Sequence, residues 1–212
     1  MDESDRRPIA ARNLGLTQRM AAALVARGAS PNGISIAGML AGLGAGLAVA
    51  ATARWPDVAT PLWLLGALLV QARLMANLLD GMVAIGRGVA SPVGELFNEV
   101  PDRVSDTAVL VGLGVAAESL ALGLAAALAA MLTAYVRTTA RAAGAPSDFC
   151  GPMAKQHRMA IVTALAVWCA VAPARWSGAE GVLVVLIVIT LGSIATAMRR
   201  LLRAAAALEA KR

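Results

Sequence analysis

The chain has 212 residues, of which 58% are hydrophobic and 15% are charged, and its mean hydropathy is +0.69. This apolar content exceeds what the core of a soluble domain of that length requires, so the composition predicts an all-α integral membrane protein. The net charge of +6 is of the kind that orients membrane proteins. No basic patch is interleaved with aromatic residues, so nucleic acid is not expected as a partner.

The first 32 residues are predicted to form a cytosolic amphipathic segment. They lack the compact apolar run of a cleavable signal peptide. Between Pro8 and Ala26, Arg and Gln are mixed with Leu and Met. This pattern predicts a helix that lies on the membrane surface or packs on the cytosolic end of the bundle.

Six apolar segments follow and predict six transmembrane helices. They cover approximately residues 33–53, 58–79, 104–117, 120–136, 159–174 and 182–198. Gly38, Gly42 and Gly46 lie four apart in the first segment, which predicts close contact with another helix. We therefore expect one six-helix transmembrane domain over residues 33–200, followed by a basic cytosolic tail over residues 201–212.

Lys and Arg are distributed very unequally about these segments. Seventeen of the 19 lie at the same end of the predicted bundle, and only Arg54 and Arg175 lie at the other end. Because cytoplasmic connections carry the excess of Lys and Arg, we expect both termini to lie in the cytosol of a bacterium. The chain would then be a multi-pass protein of the inner membrane.

Acidic residues are concentrated in residues 73–106, within a chain that otherwise avoids charge. Asn77 and Asp80 are three apart and share one helix face, while Asn98 and Asp102 are four apart on another face. An ionisable group at membrane depth costs roughly 2.5 to 3.5 kcal/mol on insertion scales, so it persists where it binds something. Side-chain oxygens of this kind suit Mg2+. The segment therefore predicts a cation site at the cytosolic end of two helices.

An alternative interpretation is a solvated charged face. In that case the carboxylates would pair with Arg73, Arg87 and Arg103 and would bind no ligand. The helical spacing and the Asp80-Gly81 step favour a ligand site, since glycine lets a bulky ligand approach the backbone.

The same segment resembles the motif of the CDP-alcohol phosphotransferase family, D-x-x-D-G-x-x-A-R followed by G-x-x-x-D-x-x-x-D. The chain has the form Asn77-x-x-Asp80-Gly81-x-x-Ala84-Ile85, then eight residues, then Gly94-x-x-x-Asn98-x-x-x-Asp102. Every gap is kept, but Asn replaces the first and third Asp and Ile replaces Arg. Pro31, Asn32 and Ser35 also match the P-N-x-x-S/T that precedes the first helix in this family. The chain thus resembles a variant branch.

The resemblance implies an enzyme of phospholipid biosynthesis. Such an enzyme transfers a substituted phosphate, here a phosphatidyl group, from a CDP-alcohol such as CDP-diacylglycerol to a small or phosphorylated acceptor alcohol and releases CMP. The expected cofactor is Mg2+ or Mn2+, and membrane lipids or a second copy in a homodimer are expected partners. The metal set implied is Asn77, Asp80, Asn98 and Asp102, with Asp102 also the general base, and the nucleotide neighbours are Asn32, Gly81 and Ser91.

Three further cations, Arg137, Lys155 and Arg158, lie between the fourth and fifth segments. Their default interpretation is a topology signal, and the alternative is a site for the phosphate of the acceptor or a lipid.

The neutral Asn77 and Asn98 would hold a cation less tightly than Asp. The alternative function is therefore a catalytically impaired family member that acts as a membrane binding or regulatory protein.

Overall fold

The computed structural model describes residues 14–172 and 178–210. Within these ranges the chain forms seven α-helices and one 3₁₀ turn, with no strand. The helices are α1 Gly15–Ala26, α2 Pro31–Arg54, α3 Ala59–Gly86, α4 Pro92–Ala116, α5 Leu120–Ala142, α6 Lys155–Val171 and α7 Ala179–Glu209. The predicted all-α class is confirmed. Arg175, the last two residues and the basic residues before Leu14 lie outside the described ranges.

Four of the described helices are long and apolar enough to cross a membrane, namely α2, α3 with its preceding 3₁₀ turn, α5 and α7. The first half of α4 carries the acidic segment, and α6 has only 17 residues. Large apolar side chains such as Leu47, Leu128 and Val171 are exposed on the outside of the bundle. Many exposed large apolar side chains of this kind are typical of a protein that is surrounded by lipid.

The glycines of α2 allow it to pack against α3 and α4 at short range. A Cβ atom at Gly42 would lie 2.5 Å from the Cβ of Ser105, and one at Gly46 would lie 2.3 Å from the carbonyl oxygen of Ala108. Gly112 of α4 approaches Gly46 from the other side, where its added Cβ would lie 2.3 Å from the Gly46 carbonyl oxygen. The close helix contact predicted from the glycine spacing is confirmed. It brings the beginnings of α2 and α4 together.

The helices extend beyond the apolar segments from which they were predicted. The second and third apolar segments were predicted as 58–79 and 104–117, whereas α3 continues to Gly86 and α4 already begins at Pro92. Ser91 caps α4 by accepting a hydrogen bond from the Gly94 N–H at 3.2 Å, and Pro92 suits the first turn because it needs no N–H partner there. Both halves of the acidic motif are therefore helical.

The remaining helices fix the positions of the basic residues. The first residue of α6 is Lys155, and α6 packs against α3 while α5 packs against α7. A core of fully buried side chains joins these helices, including Val49, Leu110, Val162, Leu186 and Ile189. Helix α1 packs against α3 and buries Thr17 and Ala21, and residues 201–209 continue α7 without a break.

Candidate functional site

An open cavity of about 390 Å³ lies where α2 and α4 begin and α3 ends. Its wall includes Asn32 and Ser35 of α2, Asp80 and Gly81 of α3, and Ser91 at the cap of α4. The structure thus brings the P-N-x-x-S segment and the D-G step into one concave site. These two segments lie 45 residues apart, as measured between Ser35 and Asp80.

Asp80 is the acidic residue of this wall that comes from α3. It is only 3% exposed, and its Oδ2 accepts a hydrogen bond from the Ser35 hydroxyl at 2.6 Å, while its Oδ1 accepts one from the Gly81 N–H. Among the described residues, no Lys or Arg forms an ion pair with Asp80. A buried carboxylate without a cation is costly unless it is paired or binds a metal ion, so Asp80 is suited to hold a positive ligand. Gly81 leaves open space beside it.

Asn77, Asn98 and Lys155 form a chain of hydrogen bonds behind the cavity. The Asn77 amide nitrogen donates to the Asn98 Oδ1 at 2.7 Å. The Lys155 ammonium donates to the Asn77 Oδ1 at 2.8 Å and also to the Asp102 Oδ2. Lys155 is 6% exposed, so its charge is buried among these groups. One cation thus bridges two of the predicted metal ligands.

Asp102 lies at the deep end of the site. Its Oδ1 accepts a hydrogen bond from Arg73 at 3.1 Å, and its Oδ2 accepts one from Lys155. A small void of about 10 Å³ is lined by Asn77, Asp80, Asn98 and Asp102 and shares Ser35, Asp80 and Asn98 with the wall of the open cavity. That volume is about the space of one water molecule. All four predicted metal ligands therefore line the same small void.

Asp106 completes the buried ionic network. Its Oδ1 lies 2.5 Å from the Arg73 guanidinium, and its Oδ2 accepts a hydrogen bond at 2.9 Å from Arg158, which is 0% exposed. Arg73 thus bridges Asp102 and Asp106. These contacts fasten α3 and α6 to α4. Asp106 continues the spacing of four that places Asn98 and Asp102 on one face. Its partner Arg158, which the sequence offered as a topology signal or a phosphate site, lies 52 residues away in the chain.

The three cations predicted to bind a phosphate lie against three different carboxylates. Arg137 pairs with Glu99, while Lys155 pairs with Asp102 and Arg158 with Asp106. Arg137 also lies over the Phe149 ring, 5.2 Å from its centroid. The structure does not gather the three into one open cleft, since each is paired with its own anion.

Ile85 occupies the wall position where the family motif has Arg, and its side chain is half exposed to the cavity. Of the two nearby arginines, Arg87 also lines the cavity, whereas Arg73 is buried with Asp102. Arg87 donates hydrogen bonds to the carbonyl oxygens of Gly28 and Ala29 at 3.1 and 2.7 Å. It therefore ties the end of α3 to the connection between α1 and α2.

The connection that leads into α6 is anchored to two other helices. Arg200 of α7 donates hydrogen bonds to the carbonyl oxygens of Cys150 and of Thr133 in α5. Burial raises the pKa of the Asp148 carboxyl, but hydrogen bonds from Cys150 and the charge of Arg203 outweigh it, so the pKa lies below its usual value. These contacts fix the connection from which Lys155 enters the site.

The chemistry of the donors decides whether the site fits a metal ion. Across residues 14–172 and 178–210, no three His, Cys, Asp or Glu side chains are grouped so as to hold a metal by themselves. A metal here would be held by the Asp80 carboxylate together with side-chain oxygens of Asn77, Asn98 or Asp102 and oxygens of water or substrate. Oxygen donors of this kind fit a hard divalent cation such as Mg2+ or Mn2+, and Asp80 supplies a carboxylate that no cation occupies.

No family model matches the chain, but individual proteins do. A curated relative, the phosphatidylinositol phosphate synthase of Mycobacteroides abscessus, is 29% identical over 170 residues, which cover 76% of this chain and 72% of the relative.

Solved structures of the Mycobacterium tuberculosis phosphatidylinositol phosphate synthase are also similar. The form with CDP-DAG bound has a TM-score of 0.73 and 22% identity over 90% of this chain and 94% of that chain. The complex with manganese and citrate has a TM-score of 0.72 and 23% identity over 89% and 88%. The chain thus has the fold of these synthases, and the resemblance to the CDP-alcohol phosphotransferase family that its acidic motif predicted is confirmed.

Proposed function

We propose that the chain transfers a phosphatidyl group from CDP-diacylglycerol to an acceptor alcohol and releases CMP, in phospholipid biosynthesis. The observation that carries this proposal is the hydrogen bond of 2.6 Å between Ser35 and Asp80, which joins the two family segments in one cavity. The fold is that of a synthase whose structure has CDP-DAG bound. The similar curated relative is itself a phosphatidylinositol phosphate synthase.

In this proposal the CDP moiety occupies the cavity of about 390 Å³ beside Asn32, Gly81 and Ser91. A side chain at position 81 would project into open space, so the glycine leaves room for the ligand. Asp80, with Asn77, Asn98 and Asp102 behind it, would hold the metal. When bound, a divalent metal neutralises the pyrophosphate and the leaving phosphate of CMP.

Asp102 would take the proton of the acceptor hydroxyl. Arg73 and Lys155 hold its carboxylate in one orientation from opposite oxygens. The carboxylate is mostly buried in the free protein, but catalytic hydrogen bonds commonly form only once substrate is in place. Its position next to the small void is therefore compatible with a base that acts on a bound acceptor.

The acceptor would carry its own phosphate to the cations beyond Asp102. Arg137 has the most accessible side chain of the three predicted cations, at 12%, against 6% for Lys155 and 0% for Arg158. An acceptor phosphate would therefore meet Arg137 first and compete there with Glu99. The names of the relatives make a phosphorylated inositol the first acceptor to test.

The proposed topology has α2 to α7 crossing a bacterial inner membrane six times, with both termini and the cavity facing the cytosol. Helices α4 and α6 are included because their neighbours α2 and α3 are long and apolar enough to cross. Helix α1 would lie at the membrane surface, since Leu16 and Met20 are exposed on it and Leu14 is exposed at its N-cap. CDP substrates made in the cytosol could then reach the site.

The test is CMP release by purified protein from CDP-diacylglycerol. The acceptors would be inositol, inositol phosphate and glycerol phosphate, each with Mg2+, with Mn2+ and with EDTA. We expect CMP release that requires one acceptor and a divalent metal. No release with any acceptor, from protein that still binds CDP-diacylglycerol, would favour the impaired, regulatory alternative.

A further inference from the structure

The buried charges of the site balance without a metal ion. The six buried residues comprise three carboxylates, Asp80, Asp102 and Asp106, and three cations, Arg73, Lys155 and Arg158. The partly exposed Arg103 also lies within 4 Å of Asp102 and Asp106, but it pairs with Glu99 as well. The family motif would place two more carboxylates here, at the positions of Asn77 and Asn98. Their replacement by neutral amides removes two negative charges, so the attraction for divalent cations is weaker.

Lys155 has a specific position within this balance. Its ammonium contacts the side-chain oxygens of Asn77 and Asp102, which are two of the four groups that the motif assigns to metal. Asp102 has its other oxygen bonded to Arg73, and the Asn98 oxygen accepts a hydrogen bond from Asn77. Asp80 is left as the carboxylate of this set that has no Lys or Arg partner among the described residues.

We propose that the Lys155 ammonium permanently fills a cation position between Asn77 and Asp102, so that the site takes one divalent ion, on the Asp80 side. Lys155 is then a positioning residue. Its ammonium supplies, between Asn77 and Asp102, the positive charge that a second metal ion would otherwise supply there. This inference rests on the proposed function, because that function gives the reason for a metal ion. It concerns the number of metal ions that bind, which can be measured without catalytic turnover.

The experiment counts Mn2+ ions per chain by electron paramagnetic resonance and by calorimetry on detergent-purified full-length protein. The double variant Asn77→Asp with Lys155→Met introduces the carboxylate that the family motif has at position 77. It also removes the ammonium that contacts the residue at position 77. Its matched control is Asn77→Asp with Arg103→Met, because Arg103 lies 3.7 Å from Asp102 and also carries one positive charge, but makes no hydrogen bond to Asn77.

We expect one Mn2+ per wild-type chain, two per chain in the Lys155 double variant with a dipolar coupling between them, and one in the Arg103 control. Two ions in the wild type would overturn the inference whether or not the variants fold. A Lys155 double variant that elutes as a single species and still binds one ion would overturn it as well, and so would a control that binds two. Wild type that binds one Mn2+ but releases no CMP would reject the proposed function and leave this inference standing.

Discussion

At the scale of single residues, Asp102 is held between two buried cations. Asp102→Asn should lower CMP release by about 10² to 10⁴-fold, the usual contribution of a general base. It should also lower the free energy of unfolding by about 3 to 5 kcal/mol, because Arg73 and Lys155 lose their shared anion. Rate assays and thermal denaturation in detergent measure the two effects separately.

A charge-balanced variant separates the two effects of Asp102. Asp102→Asn combined with Lys155→Met removes one charge of each sign, so stability should largely return while CMP release stays low. Glu180→Gln is the control, since Glu180 is exposed in the first turn of α7, away from the cavity. CMP release from Asp102→Asn at the wild-type rate would remove Asp102 from the mechanism.

The spacing of the motif predicted much of this site, because a helix places residues three or four apart on one face. Asn77, Asp80, Asn98 and Asp102 meet at the small void as those two faces imply. The partners of the carboxylates could not be predicted in the same way. Lys155 lies 53 residues from Asp102 in the chain, and the packing of α6 against α3 and of both α3 and α4 against α2 brings them together.

At the scale of the helices, the contact of α2 with α4 depends on glycine. Gly46→Ala would place a Cβ 2.3 Å from the Ala108 carbonyl oxygen, so the backbones must move apart. We expect a loss of about 1 to 3 kcal/mol in the free energy of unfolding, which is typical of overpacking. Thermal denaturation of the purified protein measures it.

Gly33→Ala is the matched control on α2. Its added Cβ would make an ordinary contact with Ser30 at 3.5 Å, and alanine favours a helix more than glycine does. We therefore expect no loss of stability from this change. Equal thermal midpoints for the two alanine variants would show that α2 and α4 are not packed this closely.

The lengths of the helices were the least predictable feature. Apolar content alone predicted that the second crossing ends near residue 79 and the third begins near 104, but α3 and α4 continue through the acidic motif. A helix can continue through polar residues when its end is capped. In α4 the Ser91 hydroxyl accepts a hydrogen bond from the Gly94 N–H and so caps the helix before the acidic motif. A hydropathy pattern does not contain that information.

At the scale of the whole molecule, the charge distribution predicts the orientation. Reporter fusions at both termini should indicate the cytosol, and a fusion beside Glu118, between α4 and α5, should indicate the opposite side. A terminal fusion that reports the outside would contradict the proposed topology, because the cavity would then face away from cytosolic CDP substrates.

The most direct test of the whole account is CMP release by Asp80→Asn. Asp80 faces the open cavity and has no cationic partner among the described residues, so its neutralisation leaves no buried cation without an anion. Asp57→Asn, at the far end of α3 in the exposed 3₁₀ turn, is the matched control. We predict a fall of about 10² to 10³-fold for Asp80→Asn, the size expected when one electrostatic contact to the reacting phosphate is lost, and no change for Asp57→Asn. Equal CMP release from wild type and Asp80→Asn would contradict the account.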